Sequence, residues 1–157
     1  MNDPRPSDIK SLRIVYIALM LGVAFFLLVA FILTLKTGTL SETDPFFEQV
    51  LLIVSTLMAI VSITSGIFIF KKRTENIQNM NFEEKLFTFR SAMILRAATM
   101  EGPGFFFVVC VMLTGSKISM IEALVVLVLM FLYFPTNNRL ADEMKNDLRE
   151  IERMSEN

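Results

Sequence analysis

Long uncharged blocks alternate with short polar breaks along the chain. Residues 14–35 lie between Arg13 and Lys36 without a charge, and residues 49–70 lie between Glu48 and Lys71 without one. A third apolar block, residues 91–114, is interrupted only by Arg96 and Glu101, and a fourth runs from Ala123 to Phe134. About 20 apolar residues carry an α-helix across a bilayer, whereas apolar stretches of ~10–14 residues are typical of buried helices in soluble domains. The pattern predicts an all-α integral membrane protein. Its four transmembrane helices would cover residues 14–35, 45–70, 82–113 and 119–134, giving a membrane domain over 1–134.

Local signals set these boundaries. Asp44-Pro45 suits a helix start, with the carboxylate as N-cap and proline in the first turn. Asn81 followed by Glu84, and Ser119 followed by Glu122, match the capping box, in which the two side chains satisfy helix-initial N–H groups. This reading favours Glu122, at the membrane edge, as a capping group over a transport site. Gly115 suits the C-terminal cap of the third helix, and Pro135 ends the fourth. Residues 1–12 are polar and contain Pro4 and Pro6, so they are expected to be disordered or interfacial. A signal peptide would have an apolar region of only 7–15 residues before a small-residue cleavage site. The first block is longer and ends Thr34-Leu35-Lys36, so a retained helix is expected.

Beyond Pro135, residues 135–157 are charged apart from a stripe of Leu140, Met144, Leu148, Ile151 and Met154. Spacings of three and four put these on one face of an amphipathic helix. The stripe suits the membrane surface, the bundle or a partner equally well. Of the 15 Lys and Arg, Lys36 and Lys117 fall in two loops and Arg96 inside a span. All the others fall before the first helix, between the second and third blocks, or after the fourth. The positive-inside rule then places both termini in the cytoplasm and the protein in the cell (inner) membrane.

Composition narrows the function classes. Apolar residues make up 54% of the 157 residues and mean hydropathy is +0.56, while the net charge of −1 argues against a nucleic-acid surface. Histidine is absent and Cys110 is the one cysteine, so neither a His/Cys metal site nor a structural disulfide is expected. No nucleophile–base pair or phosphate loop is visible. The chain therefore reads as a non-enzyme without cofactors. Small residues at Ser55, Ala59, Ser62 and Gly66 recur on one face of the second helix, where a neighbouring helix can come close.

The first and third helices look like a repeat. Ile14/Ile94, Ala18/Ala98, Met20/Met100, Gly22/Gly102, Phe25/Phe105 and Phe26/Phe106 coincide at one offset. This predicts two tandem hairpins of parallel repetition, packed through Ala18/Gly22 and Ala98/Gly102. Only the second copy carries a charge, since Leu21 stands where Glu101 stands.

Leu95 to Phe107 concentrates the chemistry. Ionisable groups inside hydrocarbon are costly and mark function by default. Glu101 is expected near mid-membrane among small neighbours. Pro103 cannot donate to the Thr99 carbonyl, which frees an acceptor one turn away, and Gly102, Pro103 and Gly104 are expected to break the helix. Glu101, Arg96 and Thr99 form a candidate ion-binding set. The alternatives are a register- or assembly-fixing role for Arg96 and Glu101, or lipid or small-ligand recognition. On a regular helix Arg96 and Glu101 are about 140° apart, so a direct pair would need local unwinding.

The run Ala97-Ala98-Thr99-Met100-Glu101-Gly102-Pro103-Gly104-Phe105 resembles the carboxylate helix of the rotor-ring proteolipids of rotary ATP synthases. That resemblance implies an ion-binding role for Glu101 within tandem hairpins. The chain departs from the family in having only six glycines and in placing the carboxylate on the first helix of its hairpin. The expected function is a subunit or accessory of a membrane complex, contacting the lipid bilayer and a membrane-protein partner or further copies of itself. The alternative is a proton- or cation-translocating protein using Glu101.

Overall fold

A computed structural model describes residues 7–38, 44–77 and 80–144. They form five helices: α1 (Ser7–Thr37), α2 (Pro45–Thr74), α3 (Phe82–Thr114), α4 (Lys117–Leu132) and α5 (Asn137–Met144). Three stretches are long and apolar enough to cross a membrane, Ile9–Thr37, Pro45–Thr74 and Glu84–Thr114. Helix α4 has 16 residues, or about 24 Å at 1.5 Å per residue, less than the ~30 Å hydrocarbon thickness. Large apolar side chains such as Phe25, Leu28, Leu57, Val61, Phe68, Val128 and Phe131 remain exposed. Contiguous apolar surface on that scale is intolerable in water and ordinary against lipid. The chain is a small helical membrane protein.

The helix starts follow from their caps. The Asp44 carboxylate accepts from the Phe46 N–H at 3.1 Å, and the Asn81 side chain accepts from the Glu84 N–H at 2.9 Å. Gly115 takes φ 67° and donates its N–H to the Val111 carbonyl at 2.8 Å. That left-handed turn, cheap only for glycine, reverses the chain from α3 into α4. Helix α4 starts earlier than its sequence suggests, at Lys117 after Ser116. Ser119 and Glu122 therefore lie inside the helix and form no capping box. Instead the Thr114 hydroxyl accepts from the Ser116 N–H.

Helix α3 is the centre of the bundle. It packs against α1, α2 and α4 and touches α5, whereas α1 and α2 barely meet. It runs unbroken through Gly102, Pro103 and Gly104, so this triplet is not a helix break. Proline removes a single ladder bond there, and a hydroxyl from α2 takes over the released carbonyl.

At the end where α1 and α3 begin, α1 closes the short α4. The Tyr16 hydroxyl donates to the Met130 carbonyl at 3.0 Å, and Arg13 Nε donates to the Pro135 carbonyl at 3.0 Å. Arg13 also reaches the Asn137 side chain. The last carbonyls of a helix have no partner within it, so the Tyr16 hydroxyl replaces a bond that α4 cannot make itself, and Arg13 holds the turn that follows α4. Tyr16 meets Phe134 edge to face. Leu140 on α5 is fully buried, which seats the start of the amphipathic stripe on the bundle. Leu148, Ile151 and Met154 lie outside the described residues.

Candidate functional site

Helix α2 approaches α3 along its small residues. Ser55, Ala59 and Gly66 are buried, and the Ser55 hydroxyl meets the Cys110 thiol. The approach is close at Gly66, where an added Cβ would overlap the Thr99 hydroxyl and lie 2.9 Å from the Thr99 Cβ. One turn away, the Ser62 hydroxyl donates to the Thr99 carbonyl at 2.7 Å. This is the carbonyl that Pro103 leaves without an intrahelical donor. The Thr99 hydroxyl donates to the Arg96 carbonyl at 2.8 Å. Both polar atoms of Thr99 thus serve backbone satisfaction and helix packing rather than facing Glu101.

Arg96 is 2% exposed, deep in the bundle. Its guanidinium carbon lies 3.9 Å from the Phe70 ring centroid and 4.6 Å from that of Tyr133. Its Nη2 contacts the Met93 sulfur at 2.7 Å. Phe70 lies one turn before the end of α2 and Tyr133 caps α4, so one cation on α3 ties the ends of its two neighbours. A guanidinium over a desolvated ring is worth about 2 kcal/mol, and Phe70 is further held edge to face by Phe89. Arg139 covers Tyr133 as well, at 5.2 Å.

Glu101 points elsewhere. It is half-buried, and among the described residues it makes no hydrogen bond or ion pair. Its neighbours Ala98 and Gly102 are exposed, and nothing lies within 4 Å of a Cβ built on Gly102. Because α1 and α2 flank α3 without closing over it, this strip stays open along the middle of α3. Ala18 on α1 is exposed too. Helices α1 and α3 therefore do not meet through Ala18 and Ala98. They meet where Gly22 faces Phe105 and Gly104 faces Val23, so that a Cβ added at Gly22 would lie 3.6 Å from the Phe105 ring and one added at Gly104 would lie 3.0 Å from a Val23 methyl, with Phe26 edge to face on Phe105. The bulky partners fix this crossing: Val23 fills the hollow over Gly104, and Phe105 leans on Gly22.

A second carboxylate, Glu122, is not the capping group that the sequence favoured. The Thr56 hydroxyl on α2 donates to Glu122 Oε1 on α4 at 2.6 Å, and is shared with the Leu52 carbonyl at 2.8 Å. Glu122 Oε2 is buried and accepts no hydrogen bond among the described residues. The capping-box match of Ser119 and Glu122 hid this position. The better signal was that Glu122 lies one and a half turns inside an otherwise apolar helix.

Among the described residues no cluster of three or more His, Cys, Asp or Glu could hold a metal. Fold and site together define a small helical membrane protein with a stacked arginine inside the bundle and one carboxylate on an open helix face. No family model, curated protein or solved structure matches the chain.

Proposed function

We propose that this protein is a four-pass subunit or accessory of a membrane complex, and that the open strip of α3 around Glu101 receives a helix of a partner membrane protein. The observation that carries this reading is a carboxylate without a partner among the described residues, near the middle of a span, on a strip of small residues that its own bundle leaves uncovered. An acidic side chain at the centre of a membrane helix costs about 2.5–3.5 kcal/mol on insertion scales. A donor or cation on an incoming helix removes that cost, and Ala98 and Gly102 let its backbone come close. In this reading α4 is the fourth span, shortened because Tyr133–Pro135 and the Arg13 contacts form the membrane edge. Both termini face the cytoplasm, on the side of Lys71, Lys72 and Arg73.

A photo-crosslinking residue placed at Gly102 in native membranes tests the reading. A discrete adduct is expected there, absent from the same probe at Val128 and weakened by Glu101→Gln. An adduct of twice the chain mass would identify the partner as a second copy. No adduct at Gly102, or one indifferent to Glu101→Gln, overturns the proposal. A half-open carboxylate at mid-depth also suits a proton or cation path completed by the partner. Gradient-driven flux in proteoliposomes holding the purified complex, lost in Glu101→Gln, would support that role.

A further inference from the structure

On the side of the bundle where α4 packs, α2 and α4 run parallel but splay apart and leave a groove of about 310 Å³. Phe107 of α3 forms its floor, and Ile60, Ile63, Val125 and Leu129 form its walls. The volume lies in the range of small-molecule sites, which combine apolar walls with a few placed polar groups. Here the Thr56–Glu122 pair lies at one end, and Thr64, further along α2, donates its hydroxyl back to the Ile60 carbonyl. Thr56 and Glu122 bridge the groove at their end, toward the Gly115 turn. From Glu122 to Leu129 the groove follows α4 for about 10 Å.

The polar end is short of donors. The single Thr56 proton lies between two acceptors, Glu122 Oε1 and the Leu52 carbonyl, and Glu122 Oε2 has none among the described residues. A buried acceptor without a donor is costly, and a carboxylate inside a membrane span calls for a specific counterpart. The complement is a positively charged donor attached to a hydrocarbon chain. An ammonium has three donors and no acceptor, so one such head can serve both carboxylate oxygens and relieve the shared Thr56 proton. Its chain would follow the groove along the helix axes, the direction of a lipid chain in the leaflet at the Gly115 end.

We infer that the groove between α2 and α4 is a binding site for an amphiphile with a primary ammonium head and a straight hydrocarbon chain, the head held by Glu122 and Thr56 and the chain lying on Phe107. The site is on a different side of α3 from Glu101 and does not depend on the partner proposed there.

Radiolabelled dodecylamine, titrated onto the full chain in phosphatidylcholine nanodiscs, tests the inference. Saturable binding of one amine per chain is expected, and dodecanol, with the same chain but no cation, should compete at least tenfold less well. Glu122→Gln keeps the acceptor for Thr56 but loses the charge, and should weaken binding tenfold or more. Ile60→Trp fills the groove without touching the carboxylate and should abolish binding. Native mass spectrometry of wild type from discs doped with phosphatidylethanolamine distinguishes the source of the ammonium. Retained phosphatidylethanolamine identifies a lipid headgroup, and its loss alongside dodecylamine binding identifies a free amine. Absence of saturable amine binding, equal competition by dodecanol, or unchanged affinity in both variants overturns the inference.

Discussion

Gly66→Ala is the smallest change that probes the α2–α3 contact. The new methyl would enter the space of the Thr99 hydroxyl and come within 2.9 Å of the Thr99 Cβ. Thr99 has little freedom to yield. Its β-branched side chain is stiff about χ1 on a helix, and its hydroxyl is engaged by the Arg96 carbonyl. The helices must then separate by some tenths of an ångström, which strains the Ser62–Thr99 bond. Overpacking of this kind costs ~1–3 kcal/mol, and an interhelical hydrogen bond in a membrane protein is worth ~0.6 kcal/mol on average, part of which is lost on stretching. Alanine recovers up to ~1 kcal/mol of helix propensity. The net expectation is a loss of about 1–2 kcal/mol, near a tenfold change in the unfolding constant. Reversible unfolding in mixed micelles, followed by circular dichroism, measures it. Gly102→Ala is the control, because nothing lies within 4 Å of its Cβ, and its stability should match or exceed that of wild type. Adding Thr99→Ala to Gly66→Ala removes the overlapping hydroxyl and should recover at least half of the loss. Equal stability of Gly66→Ala and wild type, or strict additivity of the two changes, would refute the contact.

Other expectations follow from the same geometry. Ser62→Ala strands the Thr99 carbonyl and should cost ~1–2 kcal/mol in the same unfolding assay; in a Pro103→Ala background the backbone N–H returns, so the same change should cost less than half as much. Arg96→Lys keeps the charge but loses the planar stack on Phe70 and Tyr133, and should lower stability by about 1–2 kcal/mol, with Arg96→Met at least as damaging to the joint of α2 and α4. Tyr16→Phe removes the donor to the Met130 carbonyl, and faster hydrogen exchange at the C-terminal turn of α4 should report it. For topology, cysteines introduced singly at Gly38 and Glu75 in a Cys110→Ala chain should differ on spheroplasts: an impermeant maleimide labels the Gly38 site and spares the Glu75 site, and the reverse pattern would invert the assignment.

What could be read from the sequence depended on how local the physics was. Asp44, Asn81 and Gly115 act within one helical turn, and their roles follow from their own residue types. The long spans were equally plain, since only a bilayer makes residues 14–35 and 49–70 useful as uninterrupted apolar runs. Which helix sits at the centre was not legible. A helix that is apolar all round has no stripe to mark its buried side, so the central position of α3 left no periodic trace. Small-residue spacing was an ambiguous guide. On α2 the line of Ser55, Ser62 and Gly66 lies along α3, while the same spacing at Ala98 and Gly102 marks a strip that nothing in the bundle covers. Glu122 was obscured because a capping-box match and a carboxylate inside an apolar helix look alike until the start of the helix is known.

The polar groups inside the spans divide according to whether the fold itself completes them. Ser62, Thr99 and Tyr16 each have an acceptor within their own bundle; Ser62 serves the carbonyl released by Pro103 and Tyr16 serves a helix end left open, while Thr99 bonds back onto its own helix. Arg96 is stacked between aromatic rings from two neighbouring helices. These residues explain why α3 can carry a proline and a guanidinium through its length without breaking. The two carboxylates differ. Glu101 lies on the strip of α3 that the fold leaves uncovered, and Glu122 lies in the groove between α2 and α4 with half of its acceptor capacity unused. The bundle gives these hydroxyls acceptors and stacks its arginine on aromatic rings, but among the described residues it leaves Glu101 and one oxygen of Glu122 without donors, and the partner and the ligand proposed above are read from that shortage.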